Sequence, residues 1–323
     1  MWSEVGMKRQ CEAILAFDTS NYTTSIAVVT RENKIEIDER ACLQVAKGER
    51  GLRQSHALFQ HMDRLPGLID SVFQQVDPSC IKGVAASDRP RPVEGSYMPV
   101  FRAGTSFGKA VASTLAVPFF SFSHQEGHLA SAALGTEIET LDRYLAFHLS
   151  GGTCELLLVD NGIIECVGVS KDISFGQVID RIGVAMGLPF PAGKELDEMA
   201  SVEICQKPLL KDIPFHGLDT NLSGFETQAA KLWDTGSIKK EQLASQVFST
   251  MVRGLAKWSE RASTQLNCEH ILYTGGVAES RVLQEGLMEH MKTTQIKASF
   301  AAAGRSSDNG IGIGILGGRQ RWR

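Results

Sequence analysis

One pattern occurs twice in this chain, and it constrains the fold more than any other feature. A short apolar run at 13–17 leads into a polar turn, Asp18-Thr-Ser-Asn-Tyr-Thr-Thr24, and then into strand-like runs at 25–30 and 34–41 separated by Glu32-Asn33. Residues 144–149, 155–160 and 163–169 repeat the plan, with His148-Leu-Ser-Gly-Gly-Thr153 in the place of the first turn. Short runs rich in β-branched and aromatic residues, bounded by turn formers, read as strands. A repeated three-strand unit predicts two similar lobes. Apolar residues at helical spacing mark helices over 52–75, 105–115, 126–134, 175–186, 195–202, 223–232 and 241–266, and another from Ser280. The chain therefore reads as α/β, with lobes at 1–122 and 123–323 and a final helix free to pack back on the first lobe.

Composition narrows the class. With 323 residues, the chain exceeds the usual single-domain size, which agrees with two lobes. Lys+Arg number 33 against 37 Asp+Glu, a net charge of −4, so no global basic field points to nucleic acid and any such contact must be local. No apolar stretch reaches the ~18 residues of a membrane span, and the first residues lack the apolar core of a signal peptide. The seven cysteines are odd in number and never form a CxxC pair, which suits reduced thiols better than a disulfide frame. Cys42 and Cys166 read as core thiols, and the protein as cytoplasmic.

Four constellations could carry chemistry. Asp18 and Ser20 stand on a turn between paired strands, where a carboxylate, hydroxyls and backbone N–H groups can face a phosphate or its Mg²⁺; an ordinary polar turn looks the same. His148, Leu149, Ser150, Gly151 and Gly152 occupy the equivalent turn, whose glycines let a backbone approach a ligand. Gly275-Gly276, after an apolar run and before a helix, is placed to sit under an adenine or ribose. Three such elements in this order outline an actin-like ATPase domain of the ASKHA, ribonuclease H-like class. His124-Gln-Glu-Gly-His128 puts two imidazoles on one helical face, with Asp308 a possible oxygen ligand. Gln125 stands where a zincin needs its catalytic Glu, so a metalloprotease reading fails. The alternative role for Asp308 is helix capping. Finally, Arg89 and Arg91 with Arg102 and Lys109 make a local positive patch for phosphate or RNA, against the simpler reading of a solvated loop. The other histidines, His61 among them, have no partner at metal or catalytic spacing and read as structural or surface residues.

Taken together, the sequence resembles the tRNA adenosine threonylcarbamoyltransferase family, formerly called O-sialoglycoprotein endopeptidase or glycoprotease. The resemblance runs from about Ile14 to Gly318. It is carried by Phe17-Asp-Thr-Ser20, His124-Gln-Glu-Gly-His128, Leu149-Ser-Gly-Gly152, Asp180-Arg-Ile-Gly183, Gly187-Leu-Pro-Phe-Pro-Ala-Gly193, Leu222-Ser-Gly-Phe225, Gly275-Gly-Val277 and Ser307-Asp-Asn-Gly310. The resemblance implies an actin-like two-lobed fold binding ATP or threonylcarbamoyl-adenylate, with or without Mg²⁺. It implies one divalent metal, iron or zinc, on His124, His128 and Asp308. Nucleotide contacts are implied at His148–Gly152, Asp180, Gly193 and Ser280. It also implies tRNA as a partner, and a smaller paralogous subunit and an accessory ATPase as in the family.

The departures are specific. Asn21-Tyr22 stand where relatives carry two acids, Thr153 replaces a histidine, Ser280 an asparagine and Glu226 a lysine, and an Arg/Pro loop over 89–92 replaces a GPG-containing loop. The chain thus reads as a divergent paralogue. Its expected function is threonylcarbamoyl transfer or something close to it. The alternatives are a catalytically degenerate nucleotide-binding scaffold and carbamoyl transfer to another acceptor. A peptidase reading has only the former family name behind it.

Overall fold

A computed structural model describes residues 11–20, 22–45, 52–201, 207–306 and 308–323, so Asn21, Cys205 and Ser307 lie outside the described residues. The chain divides into two compact units, Met1–Leu134 with Ser307–Arg323, and Gly135–Ser306.

In the first unit, β1 (Ala13–Thr19), β2 (Thr23–Thr30) and β3 (Ile35–Cys42) are antiparallel neighbours. On the other side of β1, β4 (Ile81–Arg89) and β5 (Phe119–Ser123) add in parallel, giving the order β3-β2-β1-β4-β5. The second unit repeats this plan with β6 (Arg143–Leu149), β7 (Cys154–Asp160) and β8 (Ile163–Val169). After a small hairpin of β9 (Phe215–His216) and β10 (Asp219–Thr220), β11 (His270–Thr274) and β12 (Lys297–Phe300) complete the order β8-β7-β6-β11-β12. The strand senses match pair for pair. The repeat read in the sequence is therefore a repeat of whole sheets, whose fourth and fifth strands lie far along the chain from the first three.

Every residue of β1 is buried, because helices cover both faces of its sheet. Leu15 and Phe17 join Ile26, Leu65 and Val72 on the side of α1 (Gln54–Gln75) and α2 (Phe101–Leu115). Ile14 and Ala16 point the other way, to Ala130, Ile311, Ile313 and Ile315 of α3 (His124–Ala133) and the C-terminal helix. This explains the unbroken apolar run in place of an alternating one. Pro66 lies inside α1 without ending it. Helix α3 begins at His124, two residues earlier than its periodicity suggests, because Ser123 and Glu126 form a capping box. It packs on β4, β5 and the C-terminal helix, so it belongs to the first unit and the division falls after Leu134 rather than at 122.

The second unit is covered by α4 (Phe175–Ala185), α5 (Gly193–Ala200), α6 (Ser223–Asp234), α7 (Lys240–Leu266) and α8 (Arg281–Met291). Its core is aromatic: the Phe147 ring stacks on Tyr273 at 5.3 Å and meets Trp258 edge-on at 5.2 Å. Cys154 and Cys268 are buried, but Cys42 and Cys166 are exposed. They lie on the edge strands β3 and β8, so the reading of these two as core thiols is corrected. Among the described residues, no helix is long and apolar enough to cross a membrane.

Two motif segments serve the scaffold. In α9 (Ile311–Arg321), a Cβ on Gly312 would lie 1.8 Å from the Gly127 carbonyl oxygen, so α3 and α9 touch backbone to backbone. Leu222-Ser-Gly-Phe225 opens α6, whose first N–H groups, Leu222 and Ser223, donate to Asp172 at 2.8 and 3.0 Å. Burial opposes the Asp172 charge, yet the donors from Ser223, Leu222 and Ile173 hold its carboxyl well below the ordinary range.

Gly312→Ala is expected to destabilise the protein by about 1–3 kcal/mol, since the neighbour that must yield is backbone; a thermal melt against wild type checks it. Asp172→Ala should lower the melting temperature at neutral pH. Because folding depresses this carboxyl's pKa, its contribution is complete above the unfolded value of ~4 and fades as pH falls below it. The wild-type advantage should therefore shrink in melts taken at successively lower pH.

Candidate functional site

The first constellation lies within the first unit. Helix α3 carries His124 and His128 one turn apart, and the segment entering α9 carries Asp308. Their ligand atoms all lie within 4.8 Å of one another. The two imidazole Nε2 atoms are 2.8 Å apart, and Asp308 Oδ1 lies 3.4 Å from that of His124 and 3.2 Å from that of His128. Asp308 is not the cap of α9: that position is Gly310, which makes no side-chain cap hydrogen bond, and the Asn309 side chain before it accepts from the Ile311 N–H at 3.0 Å.

Around these three stands a second layer. Asp18 at the end of β1 is fully buried, and its Oδ1 meets His124 Nδ1 at 3.0 Å and accepts from Ser87 Oγ at 2.5 Å. Its other oxygen has no partner among the described residues. Ser20 Oγ donates to Asp308 Oδ2 at 2.7 Å. Thus Asp18 and Ser20, the candidate catalytic groups of the sequence, grip the outer sides of His124 and Asp308. Carboxylates and hydroxyls on the far side of ligands are what orient metal-binding imidazoles and carboxylates.

The electrostatics follow. Burial alone would lower the His124 pKa, but the Asp18 and Asp308 carboxylates outweigh it and raise it to about 10. For Asp308 burial opposes the charge, yet hydrogen bonds from His124 and His128 hold the carboxyl far below its usual range. The two carboxylates thus favour a positive charge at the imidazole pair, whether a proton or a cation carries it. Two imidazole nitrogens and one carboxylate oxygen converging in this way form a donor set that fits iron or zinc alike.

The second constellation lies within the second unit. A pocket of about 380 Å³ is lined by Gly151, Asp180, Gly193, Gly276 and Ser280, together with Asp197 and other residues. His148, Leu149, Ser150, Gly152 and Gly275 are not among its lining residues. Ser150 instead closes the turn, its N–H donating to the Thr153 carbonyl at 2.8 Å and its Oγ accepting from the Thr153 N–H at 3.0 Å. Gly275, at φ +96°, is a packing glycine, because a Cβ there would lie 2.2 Å from the Leu149 carbonyl oxygen. Asp180 accepts from the Ala192 N–H at 2.9 Å, pinning the loop before Gly193. Ser280 caps α8, accepting from the Leu283 N–H at 3.1 Å, and donates to Asp197.

Two functional positions escape the sequence reading. Asp197 follows Gly193 by one helical turn on α5, a spacing that marks the same face. His61 has no local signature beyond an apolar helix around it; it is fully buried, its ring spanning Thr24 Oγ1 at 2.8 Å and the Ser20 carbonyl at 2.7 Å. It therefore braces the turn that presents Ser20. The Arg89 side chain is committed to Asp88 at 2.6 Å and lies 3.9 Å from Glu126, so the positive patch around it is partly neutralised.

A family model described as TsaD, tRNA N6-adenosine threonylcarbamoyltransferase, matches residues 42–314. The chain is 27% identical over 303 residues to the tRNA N6-adenosine threonylcarbamoyltransferase of Archaeoglobus fulgidus, covering 94% of this chain and 90% of that protein. It is 28% identical over 318 residues to that of Thermus thermophilus, covering 96% and 93%. Among solved structures, full-length HypF in its phosphate- and nucleotide-bound form superposes with a TM-score of 0.63 at 12% identity, over 97% of this chain and 47% of that one. This chain spans about half the length of HypF, and the likeness is one of fold. The fold is the actin-like ATPase fold, built from two mixed five-stranded sheets of the same strand order.

Proposed function

The chain belongs to the TsaD family of tRNA N6-adenosine threonylcarbamoyltransferases, and from that premise we propose that it transfers a threonylcarbamoyl group from an adenylate to an adenosine of tRNA. The observation that carries this reading is the convergence of His124, His128 and Asp308 on one point, in a chain that matches the family across both units. The smaller paralogous subunit and accessory ATPase belong to the proposal on the strength of the family alone.

The residues divide the work. The adenylate lies in the pocket of the second unit, with the Asp180 carboxylate accepting from ribose hydroxyls and the open backbone at Gly151 meeting phosphate oxygens. Gly193 and Gly276 leave room for the nucleoside, and Asp197 offers a further acceptor. A divalent cation held by His124, His128 and Asp308 would supply Lewis-acid chemistry when bound. Asp18 fixes the His124 ring through Nδ1, and Ser20 holds the second oxygen of Asp308, so the donor atoms are set before substrate arrives. The acceptor nitrogen attacks the carbamoyl carbon, the bond from that carbon to the phosphate oxygen breaks, AMP leaves with the electron pair, and the acceptor nitrogen gives up one proton to water.

A second reading, a nucleotide-binding scaffold without turnover, is favoured by the side chains at 21, 22 and 153. Asn21 carries an amide and Tyr22 a phenol, so neither position offers a carboxylate. Thr153 likewise cannot replace an imidazole.

His128→Ala is expected to abolish stoichiometric metal, read by elemental analysis of purified protein; a full equivalent retained in that variant would remove the triad from the proposal. Labelled ATP should bind saturably. Transfer of labelled threonylcarbamoyl from its adenylate to unmodified tRNA, with partner subunits supplied, should be slower than in a relative with both acids by a factor of ~10²–10⁴. Equal turnover would show the acids to be dispensable, whereas none at all, with ATP still bound, would establish the scaffold.

A further inference from the structure

A second concavity adjoins the nucleotide pocket. It has a volume of about 530 Å³ and is lined by Gly151, Gln177, Asp180, Arg181, Val184 and Phe190. Residues 177, 180, 181 and 184 form the outward face of α4, so the groove runs along that helix from the Ser150–Gly152 turn to the loop carrying Phe190. It shares Gly151 and Asp180 with the pocket assigned to the adenylate.

The chemistry of its rim is unusual for a solvated helix face. Phe190 is 76% exposed and Val184 51% exposed, both at the mouth of one groove. Arg181 is exposed, and its side chain makes no hydrogen bond or ion pair among the described residues. One Asp180 oxygen is taken by the Ala192 N–H. An aromatic face beside an uncommitted guanidinium is the pairing by which proteins hold unpaired nucleotides, the ring taking a base and the cation a phosphate.

We infer that this groove holds one unpaired nucleotide of the acceptor RNA, its base stacked on Phe190 and a flanking phosphate at Arg181. The inference rests on the transferase reading above and adds the place where the RNA is held. Group transfer needs the acceptor next to the carbonyl carbon of the bound adenylate. A concavity that shares two wall residues with the adenylate pocket meets that need directly. Arg89, by contrast, is already paired with Asp88, which leaves the other basic segment less charge to offer. A nucleobase with its ribose also matches the size of the groove, which lies within the usual range for small-ligand sites.

The test is equilibrium binding of a fluorescein-labelled, unmodified anticodon stem-loop, read by anisotropy with the partner subunits present, alongside titration of labelled ATP. Phe190→Ala should weaken RNA binding about ten-fold while leaving ATP affinity within about two-fold, and Phe190→Trp should restore RNA binding. Arg181→Ala should weaken binding and reduce the slope of log K against log salt by about 1. Because both side chains are exposed, the melting temperatures should match wild type. RNA affinity unchanged in Phe190→Ala, with wild type binding RNA normally, would overturn the groove and leave the transferase reading standing. A parallel loss of ATP affinity would make the groove part of the donor site and overturn the inference. Wild type that binds ATP but not RNA would overturn the groove and the tRNA acceptor together.

Discussion

The contact on which the first unit's site depends is the meeting of two glycine backbones. Helix α3 carries both histidines and α9 follows directly on Asp308, so the distance between those helices sets the distance between the donor groups. That distance is fixed at Gly127 and Gly312, where a Cβ on Gly312 would come within 1.8 Å of the opposing carbonyl oxygen. Ile313 fills the space beside Gly127, since a Cβ there would meet its Cδ1 at 2.8 Å. Interiors this close do not deform gradually; they either fit or shift. A change of one methyl group at this crossing thus acts on the imidazole–carboxylate spacing as well as on stability.

Close helices also make burial of polar groups tolerable. Asp18 has no exposure at all, and a buried carboxylate without partners is costly. The His124 ring and the Ser87 hydroxyl both meet its Oδ1, and its other oxygen has no partner among the described residues. His61, whose pKa burial lowers, contributes a neutral ring that ties the turn after β1 to α1 without adding charge. The site is therefore rigid because its ligand groups are hydrogen-bonded from behind, and their reactive sides are what remain.

How much of this could be read from residues alone follows from the range of each interaction. The three-strand repeat was legible because neighbouring strands lie close in sequence and obey short-range periodicity. The joining of β4 and β11 beside the first strand of each unit was not, since parallel pairing is set by packing across long loops. The histidine pair was legible from its i, i+4 spacing, whereas the grip of Asp18 on His124 spans 106 residues and leaves no local signature. Of the residues proposed for nucleotide, Asp180, Gly193 and Ser280 do line one pocket, but Gly275 proves to be a packing glycine. Sequence shows that a glycine is needed, and only the fold shows whether a ligand or a neighbouring strand requires the room. The exposure of Cys42 and Cys166 escapes the sequence for a related reason, because whether the outer strands of a sheet are covered is set by elements that pack from far along the chain.

The duplication explains why the same turn performs two kinds of work. After β1 the register pairs Asp18 with Ser25, and after β6 it pairs His148 with Glu155, so the two turns leave their sheets at corresponding points. In the first unit this position holds a carboxylate turned inward to a histidine. In the second the turn continues into Ser150-Gly-Gly152, where a Cβ on Gly151 or Gly152 would meet nothing within 4 Å. One copy thus presents charge and the other presents bare backbone. Divergence of two copies of one turn is sufficient to supply both, without any change in the sheets that carry them.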